Sequence, residues 1–108
     1  MSLIVTTTEN IPGHRIVAIL GIARGNAVRA RHVGSDIVAG LRNIVGGEIP
    51  EYTKLMGESR EQAFDRMMEQ ARQMGANAVV GMRFGTSMIT QGAAEILAFG
   101  TAVQVEKE

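Results

Sequence analysis

The chain has 108 residues and a formal net charge of zero, because 11 Lys and Arg balance 11 Asp and Glu. The length suits one domain over residues 1–108. The zero net charge argues against a nucleic-acid-binding protein, because such proteins usually carry an excess of basic residues. The chain has no cysteine, which excludes disulfides, thiolate metal sites and cysteine nucleophiles. No apolar run approaches the ~20 residues that span a bilayer and no signal-peptide pattern is visible, so we expect a cytoplasmic protein.

The N-terminal third of the sequence predicts β-strands. The β-branched stretch Leu3 to Thr8 is typical of a short strand, and Pro12-Gly13 then predicts a turn. A long β-like run follows from Arg15 to Arg31. We expect Gly25-Asn26 to interrupt this run as a bulge or a tight turn.

The middle of the chain predicts two helices separated by a connector. The first helix begins at Ser35 or Asp36, which are good N-caps, and ends at Gly46-Gly47. Pro50 is expected to prevent its continuation, so Glu48 to Gly57 is predicted to be an irregular connector.

The second helix has the clearest pattern in the sequence. Ser59 and Gln62 have the spacing of a capping box, which places the start of the helix at Ser59. Gly75 is predicted to end it as a left-handed C-cap. One apolar stripe is predicted to face the core, and it consists of Ala63, Phe64, Met67, Met68, Ala71 and Met74.

Two strands are predicted to close the chain, joined by a hairpin turn at Gln91-Gly92. On the first strand, one face is predicted to carry Ala78, Val80, Met82, Phe84, Thr86 and Met88. On the second strand, one face is predicted to carry Leu97, Phe99, Val103 and Val105, and the other Ile96, Ala98, Gly100 and Ala102. The element order β, β, α, α, β, β indicates an α+β domain with an antiparallel sheet packed by helices.

The strands predict self-association because they lack a polar face. Ile16 to Ala23 is almost wholly apolar, and Ala94 to Val105 has few polar members. Two short helices cannot cover both faces of a four-stranded sheet, so the second face should meet another subunit, for example in a closed ring. The alternative is that the N-terminal segment and the connector cover it.

Metal-ligand patterns are weak in this sequence. His14 and His32 lie at the two ends of the long β run, without the spacing of a helical metal site. They are the candidate metal ligands, although a surface or capping role suits them better. The methionines fall on the predicted core faces, where core filling explains them.

The sequence gives only weak evidence for an anion-binding site or for catalytic residues. Arg24, Arg29, Arg31 and His32 form the densest basic patch, which could bind an anion or pair with acidic residues of another subunit. Arg83 and Glu95 lie on opposite arms of the last hairpin and are expected to pair across it. No acid–base couple is identifiable, so the catalytic residues and any cofactor stay unassigned and a binding role is favoured over an enzyme.

Several segments resemble the YbjQ-like family of small bacterial proteins. They are VTTTENIPGHRI from Val5, RGNAVRARHVGSDI from Arg24, GGEIPEYTKL from Gly46, GANAVVGMRF from Gly75 and EILAFGTAV from Glu95. The resemblance implies a dodecin-like subunit, in which a helix packs on a three-stranded antiparallel sheet and an added short strand helps to form a pentameric ring. The family is labelled as heavy-metal-binding and is otherwise uncharacterised.

Three functions therefore compete. The first is a homo-oligomeric binding or scaffold module, with a small-ligand pocket at a subunit boundary near Arg31, Tyr52 or Arg83. The second is a metal-binding protein, as the family label suggests. The third is a small enzyme with a site between subunits.

Overall fold

The computed structural model describes residues 2–30, 50–90 and 93–108. In chain order the elements are β1 (Ile4–Val5), β2 (His14–Ala30), α1 (Pro50–Gln73), β3 (Ala78–Thr90) and β4 (Ala93–Lys107). The helix predicted from Ser35 and the turn at Gln91-Gly92 lie outside the described residues. No helix in the described ranges has the length and apolarity needed to cross a membrane.

The four strands form one sheet in the order β1-β3-β4-β2. β3 pairs antiparallel with β4, and β4 pairs antiparallel with β2. β1 pairs parallel with β3, through Ile4 to Ala78 and Val5 to Val79. The sheet is therefore mixed, and the prediction of a purely antiparallel sheet is wrong at this one short strand.

β2 is continuous through Gly25 and Asn26, so the predicted interruption there is wrong. Gly25 pairs with Ala98 and Asn26 with Leu97 in unbroken register, while the irregularities of β2 lie nearer its start. A Cβ on Gly25 would lie 2.3 Å from the backbone nitrogen of Met67 and 2.4 Å from the carbonyl oxygen of Ala63. Gly25 therefore permits close backbone contact between β2 and α1.

α1 begins at Pro50, nine residues before the predicted start at Ser59. Proline suits the first helical position because the N–H that it lacks would have no partner there. Ser59 lies inside the helix, where it is buried and its hydroxyl donates to the carbonyl of Leu55 at 2.9 Å. The prediction of a capping box at Ser59 is therefore wrong. The prediction of an irregular connector is also wrong from Pro50 onward, because these residues are helical.

The predicted apolar stripe of α1 is confirmed, and it packs on β2 and β4. Ala63, Met67 and Ala71 are fully buried in a cluster with Ala23 and Ala98 of the sheet. Phe64, Met68 and Met74 are partly buried against the same cluster. The stripe thus holds the helix on one face of the sheet, and we call the opposite face the open face.

The C-terminus of α1 ends in a Schellman motif, which confirms the predicted cap. Gly75 has φ +85°, its N–H donates to Arg72 at 2.9 Å, and the N–H of Ala76 donates to Ala71 at 3.0 Å. These two bonds satisfy carbonyls that the helix cannot pair internally.

We expect Gly75→Ala and Gly57→Ala to change stability in opposite directions. A Cβ on Gly75 meets no atom within 4 Å, so the substitution should destabilise through the left-handed φ alone, by about 1 kcal/mol. Gly57 lies inside α1, where a Cβ comes no closer than 3.8 Å to Arg60, and alanine should stabilise by about 0.5–1 kcal/mol. Urea unfolding measures both, and equal signs would contradict the assignment of the cap.

A bulge at Gly81 divides β3 into two parts, and the alternation of side chains between the two faces of the sheet changes at this point. Gly81 has φ +63°, and the register of β3 with β4 shifts between Val80 and Arg83. Ala78 and Val80 pack with Val103 and Val105 on the open face, whereas Met82 packs in the cluster beneath α1. The prediction that Ala78, Val80 and Met82 share one face is therefore wrong.

The facing predicted for β4 is confirmed. Ile96, Ala98 and Ala102 are buried beneath α1, and Val103 and Val105 are buried on the open face. Ile11 of the N-terminal segment packs on this second cluster. The N-terminal segment thus covers one end of the open face, and no other described segment covers the rest of it.

Two side chains of α1 reach the outer edge of β2. Arg24 donates its backbone N–H to Oε1 of Gln70 at 2.6 Å. The carbonyl of Asn26 accepts from Nη1 of Arg66 at 2.7 Å. Because β2 is the last strand of the sheet within the described ranges, these groups have no partner strand there, and the helix supplies hydrogen bonds in its place.

Candidate functional site

The open face carries aligned rows of side chains across three strands. One row holds Ile22, Thr101 and Val80, the next Arg24, Phe99 and Arg83, and the one after it Asn26, Leu97 and Gly85. Alternate residues of β2 face α1 instead, including the buried Ala23 and Ala27. The open face therefore combines apolar residues with the two arginines and with polar residues such as Thr101 and Asn26.

Arg83 is held in place by backbone carbonyls. Its Nη1 donates to the carbonyl oxygens of Thr7 and Met82, each at 2.8 Å. Among the described residues, the ion pairs are Arg15 with Glu106 and Arg72 with Glu69, so no described carboxylate neutralises Arg83. A positioned guanidinium without a carboxylate partner is suited to hold an anionic group.

The expected pair between Arg83 and Glu95 does not form. Arg83 lies opposite Phe99, and Glu95 lies opposite Ser87. Glu95 instead accepts a hydrogen bond from Nδ2 of Asn26 at 3.2 Å. The prediction is wrong because the β3–β4 register places the two charges four residues apart along the hairpin.

A cavity of about 410 Å³ lies beside Arg83 on the open face. Six of its lining residues determine its chemistry: Arg83, Glu9, Thr101, Ile16, Ile19 and Val103. The N-terminal segment brings Glu9 to the cavity, since the Gly81 N–H donates to the carbonyl of Thr8 at 2.8 Å. The bulge at Gly81 and the segment before β2 thus build the cavity together.

The other predicted ligand residues are only partly described. Arg31 and His32 lie outside the described residues, and Tyr52 belongs to α1 but its side chain lies outside the described set. Nδ1 of His14 donates to the carbonyl of Pro12 at 3.1 Å, which leaves Nε2 as its possible metal ligand. Of these residues, only His14 has a described side chain, and it is not among the residues that line the cavity beside Arg83.

Metal-ligand clusters are also absent from the part of the chain that the structure describes. No group of three or more His, Asp or Glu side chains is positioned there to hold a metal ion. Such a group is the usual minimum for a protein site that binds a transition metal.

Glu9 and Thr101 were not predicted as site residues. Glu9 follows the first short strand and Thr101 lies within the last, so only the sheet register brings them near Arg83. The available signal was Gly81, since a glycine inside a strand pattern indicates a bulge that changes the direction of the next side chains.

The chain belongs to the YbjQ-like family, whose model is described as "Putative heavy-metal-binding" and matches residues 3–106. A UPF0145 protein of Thermus thermophilus is 52% identical over 98% of this chain and 93% of that relative. A UPF0145 protein of Thermococcus kodakarensis is 58% identical over 98% of this chain and 94% of that relative. The family therefore extends to archaea as well as bacteria.

A solved structure shares the fold. It is a protein of unknown function from Pediococcus pentosaceus that belongs to the DUF74 family. The TM-score is 0.67 at 11% sequence identity, and the alignment covers 96% of this chain and 98% of that one. The similarity shows the common α+β fold.

Proposed function

We propose that the protein is a homo-oligomeric binding or scaffold module, a pentameric ring of dodecin-like subunits that holds a small ligand at subunit interfaces. The proposal rests on the part of the open face that the described residues leave uncovered. The ring of five subunits is the assembly that the family resemblance implies.

Three β-branched residues on the open face of β2 carry this proposal. Ile19 is 74% exposed, Ile22 is 65% exposed and Val28 is 51% exposed. Single exposed apolar residues are ordinary, but several on one sheet face form the kind of patch that soluble monomers rarely leave uncovered. Their burial against another molecule would be favourable by about 1.5–3 kcal/mol for each fully buried side chain.

A second copy of the chain is the partner that suits this face best. The face carries both signs of charge, because Arg83 and Glu9 line one cavity and Arg24 and Glu95 lie on the same face, so two copies can be complementary. The Cα radius of gyration is 17.5 Å and the longest extent is 56 Å, whereas a compact domain of this length has a radius of gyration of about 13 Å. Such an extended subunit is typical of a chain that completes its core in an assembly.

We expect Ile22→Glu to separate the subunits. Association would bury the new carboxylate without a partner, at a cost of several kcal/mol, which corresponds to at least about a 100-fold weaker association. Native mass spectrometry of protein purified without chelators should show a pentamer for the wild type and mainly monomer for the variant.

The matched control is Gln73→Glu, which adds the same charge at an exposed position of α1. It should leave the pentamer unchanged, and circular dichroism should show that both variants are folded. A monomeric wild type at micromolar concentration would overturn the proposal.

The same experiment tests a metal-binding role, which the family description suggests. A transition metal retained at a fixed ratio would appear as added mass, and loss of that mass in His14→Ala would identify the imidazole as a ligand. An assembly that retains no metal would favour the binding or scaffold module.

A further inference from the structure

The cavity beside Arg83 contains two opposite charges that do not satisfy each other. Arg83 and Glu9 both line it, yet neither belongs to the ion pairs of the described residues. The carboxylate of Glu9 has no hydrogen-bond donor among the described side chains. A ligand that carries both charges could pair with the two residues at once.

The guanidinium of Arg83 has hydrogen-bond donors that the described residues do not use. Its two bonds to Thr7 and Met82 both come from Nη1, and its other nitrogens make no hydrogen bond to the described residues. The two bonds already restrict the side chain, so little conformational entropy remains to be lost when a carboxylate binds. This favours a ligand with a carboxylate group at one end.

Aliphatic side chains form part of the cavity wall beside the two charges. Ile16, Ile19 and Val103 line the cavity, together with the hydroxyl-bearing Thr101. A volume of about 410 Å³ is near the small end of the range for ligand sites. The cavity is therefore suited to a small molecule with a short branched apolar chain.

We infer that this cavity binds an aliphatic α-amino acid. Its carboxylate pairs with Arg83, its ammonium group pairs with Glu9, and its side chain packs on Ile16 and Ile19. The inference deepens the proposed function, because it rests on the proposed binding role of the open face and names the ligand class.

Calorimetric titration with two probes tests this inference. L-Leucine carries both charges, whereas 4-methylpentanoate has the same carbon skeleton and carboxylate without the ammonium group. The wild type should bind leucine at millimolar concentration or below, and should bind 4-methylpentanoate about 3- to 5-fold more weakly, since an ion pair at an exposed site contributes about that factor.

Glu9→Gln removes one charge from an exposed residue and should abolish this preference. The variant should bind leucine about 3- to 5-fold more weakly than the wild type, while its affinity for 4-methylpentanoate should stay equal or rise. Glu58→Gln, an exposed neutralisation on α1 away from the cavity, should leave both affinities unchanged. Arg83→Lys keeps the charge without the planar fork and should weaken both probes.

Three results would overturn the inference: no leucine binding at millimolar concentration, equal wild-type affinity for both probes, or unchanged leucine affinity in Glu9→Gln. The failure of assembly is separate. Native mass spectrometry of the same samples counts the subunits, so a monomer that binds leucine rejects only the ring, and a pentamer that does not bind leucine rejects only this ligand.

Discussion

Gly25→Ala should lower the free energy of unfolding by about 3 kcal/mol, the upper part of the range for an overpacked core. The added Cβ would lie 2.3 Å from the nitrogen of Met67 and 2.4 Å from the oxygen of Ala63. These are backbone atoms of α1, so no rotamer change can relieve the overlap. The helix must move away from β2, and Met67 and Ala71 lose contacts in the buried cluster.

Gly85→Ala is the matched control for this effect. It is also a glycine-to-alanine change within a strand, but the nearest atom to its Cβ is Cε1 of Phe99 at 4.0 Å. We expect a change within about 1 kcal/mol. Urea unfolding at one fixed protein concentration measures both variants, because assembly would make stability depend on concentration. Equal losses in the two variants would contradict the close approach of α1 to β2.

Met67→Ala should be the most damaging truncation on α1. Met67 is fully buried at the centre of the cluster between the helix and the sheet. Removal of its side chain leaves a cavity beneath the helix, and such changes cost about 2–5 kcal/mol. Met67→Leu keeps most of the volume and should cost less than about 1.5 kcal/mol.

Urea unfolding followed by circular dichroism compares the two Met67 variants with the wild type. Similar losses for alanine and leucine would show that the site requires the methionine shape itself rather than a filled volume. A loss below about 1 kcal/mol for alanine would contradict the central place of Met67 in the core.

The sequence predicted those features of the fold that depend on local periodicity. The stripe from Ala63 to Met74, the cap at Gly75 and the alternating faces of β4 are all found in the structure. Each of them follows from one residue period or one backbone conformation, which neighbouring residues determine without help from distant parts of the chain.

Features that depend on context were predicted wrongly. A serine three residues before a glutamine is compatible with a helix start, but Ser59 bonds Leu55 within the helix instead. Gly25 is compatible with a turn, but its role is to admit the backbone of α1. In both cases the residue type allows two structures, and tertiary packing selects between them.

Of the residues that form the candidate site, only Arg83 was a candidate from the sequence. Arg83 stood out as a charge within an apolar strand, and the structure places it beside a cavity without an ionic partner. Its expected partner Glu95 and its neighbour Glu9 could not be distinguished from the sequence. That choice depends on strand register and on the path of the N-terminal segment, which are long-range properties.

The hydrogen bonds from Gln70 and Arg66 to the edge of β2 have a consequence for aggregation. A long apolar edge strand without proline or lysine is a template onto which strands of other chains can add, as in amyloid growth. An incoming strand would have to break the bonds at Arg24 and Asn26 and displace two helical side chains. The helix thus protects the long edge of the sheet against the addition of further strands, which would produce open-ended fibres. The open face is not blocked by these bonds and can still form contacts between a limited number of subunits.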